Sequence, residues 1–238
     1  MKTATYIIRC LTNMHVGKGD ATYEVVDKCV QRDVTTGTPC IYSSSLKGAL
    51  RQFFSKQGFT ELDYVFGADV NRDKKNNSNE NNEEEHSIGN FTFFQANLLA
   101  YPVQTTQKNI SYILKTNEAL QKPIEELANL LSAPFDIKEM LPEGHKEHEE
   151  PLSNEDFEQL PVIARNKLDN GKSENLWYEE VVPAESRFVF FVSYDEKDEK
   201  IFKEFNTKIQ KGVIQIGANG SIGYGFCKIT NIEDSSKK

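Results

Sequence analysis

Two amphipathic helical stretches, each framed by apolar strand-like runs, constrain the fold of this 238-residue chain more than any other feature. The first is SSSLKGALRQFFSKQG (43–58). Leu46, Leu50 and the Phe53/Phe54 pair share one face, the serines at 43–45 offer N-caps, and Gly58 stops the helix. The second, EKDEKIFKEFNTKIQKG (196–212), places Ile201, Phe205 and Ile209 at i, i+4, i+8. TYIIRCLT (5–12) has strand alternation, with Tyr6, Ile8 and Cys10 set against Ile7, Arg9 and Leu11. FTFFQANLLAYPV (91–103), NLWYEEVVP (175–183) and SRFVFFVSY (186–194) carry the same chemistry, and residues 213–232 read strand, Gly-rich turn, strand. Residues 13–38 form a long loop and 39–42 a short extended piece, and 111–132 predicts a helix broken or kinked at Pro123. With the polar segments set aside, the order is β, α, β, then β, α, β. That order gives an α+β fold, a ferredoxin-like (RRM-like) palm whose antiparallel sheet carries helices on one face.

The length suits one large domain. The palm is assigned to 1–68, 89–103 and 184–232. It is interrupted by a flexible insertion, the Asn/Glu/Lys-rich 69–88, and by a helical and acidic insertion, 104–161. The net charge of −8 is concentrated in these insertions. Residues 136–158 hold nine acidic and two basic side chains, whereas residues 1–56 hold eight Lys/Arg against four Asp/Glu. The acidic total therefore does not exclude a nucleic-acid partner, because a local basic face of Lys18, Arg32, Lys47 and Arg51 suffices for phosphate contacts. No apolar run is long enough to span a bilayer or serve as a signal peptide, so a cytoplasmic protein with no membrane partner is expected. The four cysteines lack C-x-x-C spacing and read as small hydrophobes, not zinc ligands.

Three features carry possible chemistry. IGANGSIGYGF (216–226) lacks the helix that a dinucleotide loop needs. It is either a Gly-rich hairpin or a place where backbone N–H groups approach phosphates. In SSSLKGALR, Lys47 and Arg51 lie one helical turn apart near an anion-attracting helix start; the alternative is a capped helix with solvated basic residues. Asp27, between Val25-Val26 and Cys29-Val30, is a carboxylate among apolar neighbours. Taken alone, it reads as a turn residue, and His15 as structural.

The series HVGKG, VVDKCVQRD, TGTPCIYSSSLKGALR, FG (66–67), LWYEE and IQIGANGSIGYGF, in this order, resembles the RAMP superfamily of CRISPR proteins. It is most similar to the backbone subunits of type III-B (Cmr-type) effector complexes, which cut target RNA. The resemblance covers the first hundred or so residues and the last sixty or so. It implies a thumb β-hairpin at about 162–183 and a filament of several copies along one CRISPR RNA, with complementary target RNA and other type III-B subunits as partners. The thumb would flip out nucleotides at regular intervals, and the RNA would be cut beside each. A divalent metal ion, Mg²⁺ or Mn²⁺, would be required.

The same resemblance assigns Asp27 as the catalytic and metal-binding residue, His15 and Glu179 as active-site neighbours, and Ser44, Ser45, Lys47, Arg51, Gly217 and Gly223 as holders of the guide backbone. Lys28-Cys29 stand where the family has a proline. A single carboxylate suits such chemistry, because RNA supplies its own nucleophile. A flipped base lets the 2′-OH line up with the adjacent phosphate. The expected products are a 2′,3′-cyclic phosphate and a 5′-OH. A non-catalytic RNA-binding scaffold of the same filament, and a guide-RNA-processing RAMP ribonuclease, are the alternative readings.

Overall fold

The sheet is built around β1 (Lys2–Cys10), which pairs along Lys2–Arg9 with one neighbouring strand and along Tyr6–Cys10 with another. The structure is a computed structural model that describes residues 1–19, 26–68, 88–106, 109–141, 152–153, 157 and 159–235. The strands that follow β1 are β2 (Cys40–Ile41), β3 (Thr92–Phe93), β4 (Ala96–Gln104), β5 (Tyr112–Lys115), β6 (Val162–Asp169), β7 (Lys172–Glu180), β8 (Arg187–Tyr194), β9 (Val213–Gln215) and β10 (Phe226–Asn231). The helices are α1 (Ser43–Lys56), α2 (Leu62–Phe66), α3 (Glu118–Leu130), α4 (Ile137–Met140), α5 (Glu199–Lys211) and α6 (Ile232–Ser235). The main sheet is antiparallel in the order β2-β4-β8-β1-β10-β9, with β3 paired to β8 and β5 to β4. Its four central strands and the helices α1 and α5 have the connectivity of the ferredoxin-like fold.

One face of the sheet carries Tyr6, Ile8, Phe188, Phe190 and Ile229, all fully buried. Leu46, Leu50 and Phe54 of α1 and Phe205 and Ile209 of α5 pack against them, and the Phe54 and Phe205 rings stack at 4.7 Å. Each such side chain contributes about 1.5–3 kcal/mol by leaving water. This is the layer that the two helical periodicities foretold.

The second face departs from the sequence reading. It is covered too, by Ile124 and Ala128 of α3, Met140 of α4 and Ile232 of α6, packed on Leu99, Val189 and Phe191. The cause is visible in β8, where all eight residues are buried; an unbroken FVFFV run is what a strand shielded on both faces requires. The helix expected over 111–132 also begins later. Tyr112–Lys115 pairs with β4 as a strand, and Asn117 caps α3 by accepting the Leu120 N–H at 3.0 Å. The helix continues through Pro123 and ends at Leu130. Of the expected insertions, 69–87 and 142–151 lie outside the described residues.

β6 and β7 form a separate two-stranded hairpin, paired from Val162 opposite Glu180 to Asp169 opposite Lys172, with one register shift between Lys167 and Leu168. Its turn, Asn170-Gly171, has φ of 47° and 80°, the left-handed pair that a two-residue hairpin turn needs. Only its base is buried, at Glu179 and Glu180.

Candidate active site

The loop between β1 and β2 is tied into three neighbours by backbone hydrogen bonds. Met14 and Val182 exchange N–H and C=O groups at 2.8 Å. The Lys18 N–H donates to Cys29 O and the Gln31 N–H to Val16 O, which zips the two arms of the loop together. The second arm then joins the hairpin base: the Lys28 N–H donates to Tyr178 O at 3.2 Å, and the Glu180 N–H donates to Lys28 O at 2.9 Å. Asp27 completes this junction, its Oδ2 accepting the Tyr178 N–H at 2.8 Å. The carboxylate thus has a structural partner on one oxygen, and no bond to Oδ1 is found among the described residues.

An open cleft of about 350 Å³ sits at this junction, lined by His15, Gly17, Lys18, Gly19, Asp27, Lys28 and Cys29. It brings together Asp27, His15 and Lys18. His15 is buried, and its Nδ1 lies 2.7 Å from the Glu180 main-chain oxygen. A carbonyl only accepts, so Nδ1 carries a proton and the neutral ring keeps its lone pair on Nε2. Nε2 lies beneath Gly17, where an added Cβ would come within 3.1 Å of it.

Glu179 does not line the cleft. Its side chain is 2% exposed and both oxygens are engaged. Oε2 accepts from Arg165 Nε at 2.7 Å and Asn219 Nδ2 at 3.1 Å, and Oε1 pairs with Lys28 Nζ at 3.2 Å. Burial pushes the Glu179 carboxyl up, but the bonds from Lys28, Arg165 and Asn219 outweigh it and hold the group below the usual glutamate range. The Arg165 guanidinium also lies over the Tyr224 ring at 4.6 Å. Glu179 therefore clamps the loop, the hairpin and the Gly-rich turn to one another.

A second open cleft, about 410 Å³, adjoins the first through Gly17 and is lined by Ser44, Ser45, Gly48, Gln52, Gln215 and Gly217, among others. The serines at 43–45 are not caps: the N-cap position is Tyr42, which makes no side-chain cap bond, and Ser45 Oγ accepts from Gln31 Nε2 at 2.8 Å. The first turn of α1 thus lacks a side-chain cap and faces an open cleft. Gly217 has φ of 86°, and a Cβ there would fall 2.3 Å from His15 O, so only glycine lets the turn touch the His15 backbone. Gly223 has a similar φ but faces open space. Of the two readings of the run, the hairpin is the architecture: β9 and β10 pair antiparallel, with Gln215 opposite Phe226.

The remaining basic residues fall elsewhere. Arg32 bonds inward to Glu180, to Gly37 O and to Phe157 O. Arg51 pairs with Asp63 and so secures α2. Lys47 lies 5.9 Å from the Phe93 ring, and burial, with Arg51 nearby, holds its amine below the usual lysine range. These two face away from the cleft because Ser44, Gly48 and Gln52 form the i, i+4, i+8 stripe that lines it, and positions 47 and 51 lie on another. Gly48 and Gln52 were missed by charge-based reading, although their spacing from Ser44 was a usable signal.

The profile of the RAMP superfamily matches residues 7–228. This chain belongs to the RAMP superfamily. It is 24% identical to the CRISPR system Cmr endoribonuclease Cmr4 of Pyrococcus furiosus, over 97% of this chain and 96% of that protein. A stretch of 103 residues, 42% of this chain and 29% of the relative, is 35% identical to the CMR subunit Cmr4 of Saccharolobus solfataricus. Among solved structures, a chain of the type III-B Cmr-beta complex bound to cognate target RNA superposes with a TM-score of 0.74 at 22% identity, covering 99% of each chain. Oligomeric Cmr4 from Pyrococcus furiosus superposes with a TM-score of 0.60 at 17% identity, covering 97% and 98%. The RAMP palm accounts for the ferredoxin-like sheet, and the two clefts lie where the loop, the Gly-rich turn and the hairpin base converge on it. No helix among the described residues is long and apolar enough to cross a membrane.

Among the described residues no three Cys, His, Asp or Glu side chains converge as a metal cage. Asp27 is the one carboxylate among the described residues lining the first cleft. One carboxylate fits Mg²⁺ or Mn²⁺, which take one or two carboxylates and complete their shells with water and phosphate oxygens.

Proposed function

We propose that this chain is the endoribonuclease backbone subunit of a type III-B CRISPR effector, cytoplasmic, stacked with further copies and other subunits along a CRISPR RNA and cutting the complementary target RNA at regular intervals. The observation that carries this reading is the first cleft: Asp27 and His15 meet there at the base of a hairpin, on a chain similar along its length to a named Cmr endoribonuclease. The hairpin is the thumb. Its Val162, Leu168, Leu176 and Tyr178 share one face by register and are exposed, which gives it an apolar edge suited to parting stacked bases. The second cleft, with the uncapped start of α1 and the exposed Gly217, takes the guide backbone.

In the cutting step the target 2′-oxygen bonds to the adjacent phosphorus and the P–O5′ bond breaks, leaving a 2′,3′-cyclic phosphate. Asp27 Oδ1 orients the hydroxyl, and His15 Nε2, its tautomer fixed by Glu180, takes the proton. The 5′-oxygen is protonated from water. A divalent ion at Asp27 would shield phosphate charge and acidify the hydroxyl. Glu179 keeps the loop and thumb aligned without touching the substrate.

The test is the assembled complex with end-labelled complementary RNA and Mg²⁺ or Mn²⁺. Regularly spaced fragments are expected from wild type, and none from Asp27→Ala at unchanged target binding. Cutting at the same spacing by the variant would remove Asp27 from the mechanism, and intact RNA with wild type would leave a scaffold.

A further inference from the structure

We propose that Lys28 is a third catalytic residue of this site beside Asp27 and His15, its ammonium contacting the non-bridging oxygens of the scissile phosphate. The inference rests on the cleft being the active site. Lys28 lines that cleft beside Asp27 and opposite the His15 and Lys18 arm. Its backbone is fixed on both sides of the residue, by Tyr178 O and by the Glu180 N–H, so it is held by the same hairpin strand that holds Asp27. The side chain is 53% exposed, yet it is not left to swing freely: Nζ is anchored 3.2 Å from Glu179 Oε1 and 5.1 Å from the centroid of the Trp177 ring.

That anchoring does not consume the charge. Glu179 is already neutralised from the other side by Arg165, which is 18% exposed, and also accepts from Asn219. Among the described residues around the junction, Lys18, Lys28, Arg32 and Arg165 face three carboxylates, Asp27, Glu179 and Glu180, a balance of one positive charge. An ammonium has three N–H donors, and Glu179 takes one.

As the 2′-oxygen bonds to phosphorus and the O5′ bond breaks, negative charge accumulates on the non-bridging oxygens. Lys28 meets it with hydrogen bonds that strengthen in the transition state. No proton leaves Lys28 in this step. The arrangement also gives the loop's Lys28 a purpose distinct from Asp27: the carboxylate orients the nucleophile, the ammonium holds the phosphate.

Single-turnover cutting by assembled complexes, at saturating target RNA, tests the idea with a double-mutant cycle. Lys28→Met should slow cutting about 10²-fold, the usual effect of losing one transition-state donor. Lys28→Arg should recover most of the rate, and target affinity should change by no more than about threefold. The same Lys28→Met loss should appear when it is made on a Glu179→Gln background. If Lys28 served only to neutralise Glu179, its removal would cost nothing once Glu179 is uncharged, and that result overturns the proposal. Wild-type cutting by Lys28→Met overturns it as well. Where Lys28→Met prevents assembly, Lys28→Gln, which keeps a donor toward Glu179 and loses only the charge, takes its place in the cycle. Cutting that survives Asp27→Ala would instead refute the underlying site and is read separately.

Discussion

Replacing Glu179 tests the clamp directly, and its size follows from burial. The Glu179 side chain is 2% exposed and its Arg165 partner 18%, so deleting the carboxylate strands a largely buried guanidinium. Among the described residues Arg165 Nη2 already has no hydrogen-bond partner, which leaves the group little to fall back on. Breaking a buried pair from one side costs about 3–5 kcal/mol. The Lys28 contact, at 53% exposure, adds at most about 1 kcal/mol. Glu179→Ala should therefore lose about 3–5 kcal/mol of stability, and Glu179→Gln, which keeps an acceptor for Arg165 and Asn219, about 1–3 kcal/mol. Urea unfolding of the purified chain reads this as a lower midpoint with an unchanged slope. Acid adds a second check. The folded-state carboxyl sits below its ordinary value, so its contribution is full above the unfolded value of about 4.3 and disappears as pH falls through the folded one. The gap between wild type and Glu179→Gln should thus be widest near neutrality and close below that window. The clamp is refuted if Glu179→Ala unfolds within about 0.5 kcal/mol of wild type. Glu179 returns to the reacting groups if Glu179→Gln keeps full stability and binding but no longer cuts.

Two further outcomes follow from the cleft. Gly17→Ala puts a methyl 3.1 Å from His15 Nε2, and should slow cutting at saturating target while changing stability by less than about 1 kcal/mol; an unchanged rate would show that Nε2 takes no part. Among the cysteines, Cys10 and Cys227 are fully buried and burial pushes the Cys40 thiol up to about 12, whereas half-buried Cys29 lines the cleft. Peptide mapping after brief iodoacetamide treatment should find Cys29 labelled first, with cutting lost in step; labelling at Cys40 first would contradict the burial pattern.

The palm was legible because its signals are local. Ile201, Phe205 and Ile209 sit on one helical stripe whatever they pack against, and the alternation in β1 survives intact as a strand between β8 and β10. Where the reading failed, the signal was ambiguous or was passed over. The YILK run before Asn117 carries no period that separates a short strand from a helix, yet Asn117 followed by Glu118 was an available N-cap signal. The unbroken apolar run of β8 announced burial on both faces, and assigning helices to one face left it unexplained.

The site was legible in its residue types but not in its partnerships. Asp27, His15 and Lys18 share a cleft, whereas Arg32 and Arg51, assigned to phosphate contacts, pair with Glu180 and Asp63. Arg32 and Glu180 are separated by 148 residues, and nothing local in either segment reveals the pairing. The same distance explains Asp27. Taken alone it is a turn residue or a catalyst, and the fold makes the two compatible: one oxygen is bonded to the hairpin backbone at Tyr178, and the residue is presented to the cleft from there. A carboxylate bonded to the hairpin's own strand is positioned by the hairpin. On the proposed reading, in which the hairpin is the thumb that displaces a nucleotide of the target, Asp27 is held beside that same nucleotide, so the spacing of thumbs along the filament and the spacing of cuts become one quantity. Lys28, held by the next hydrogen bonds of that strand, is positioned with it.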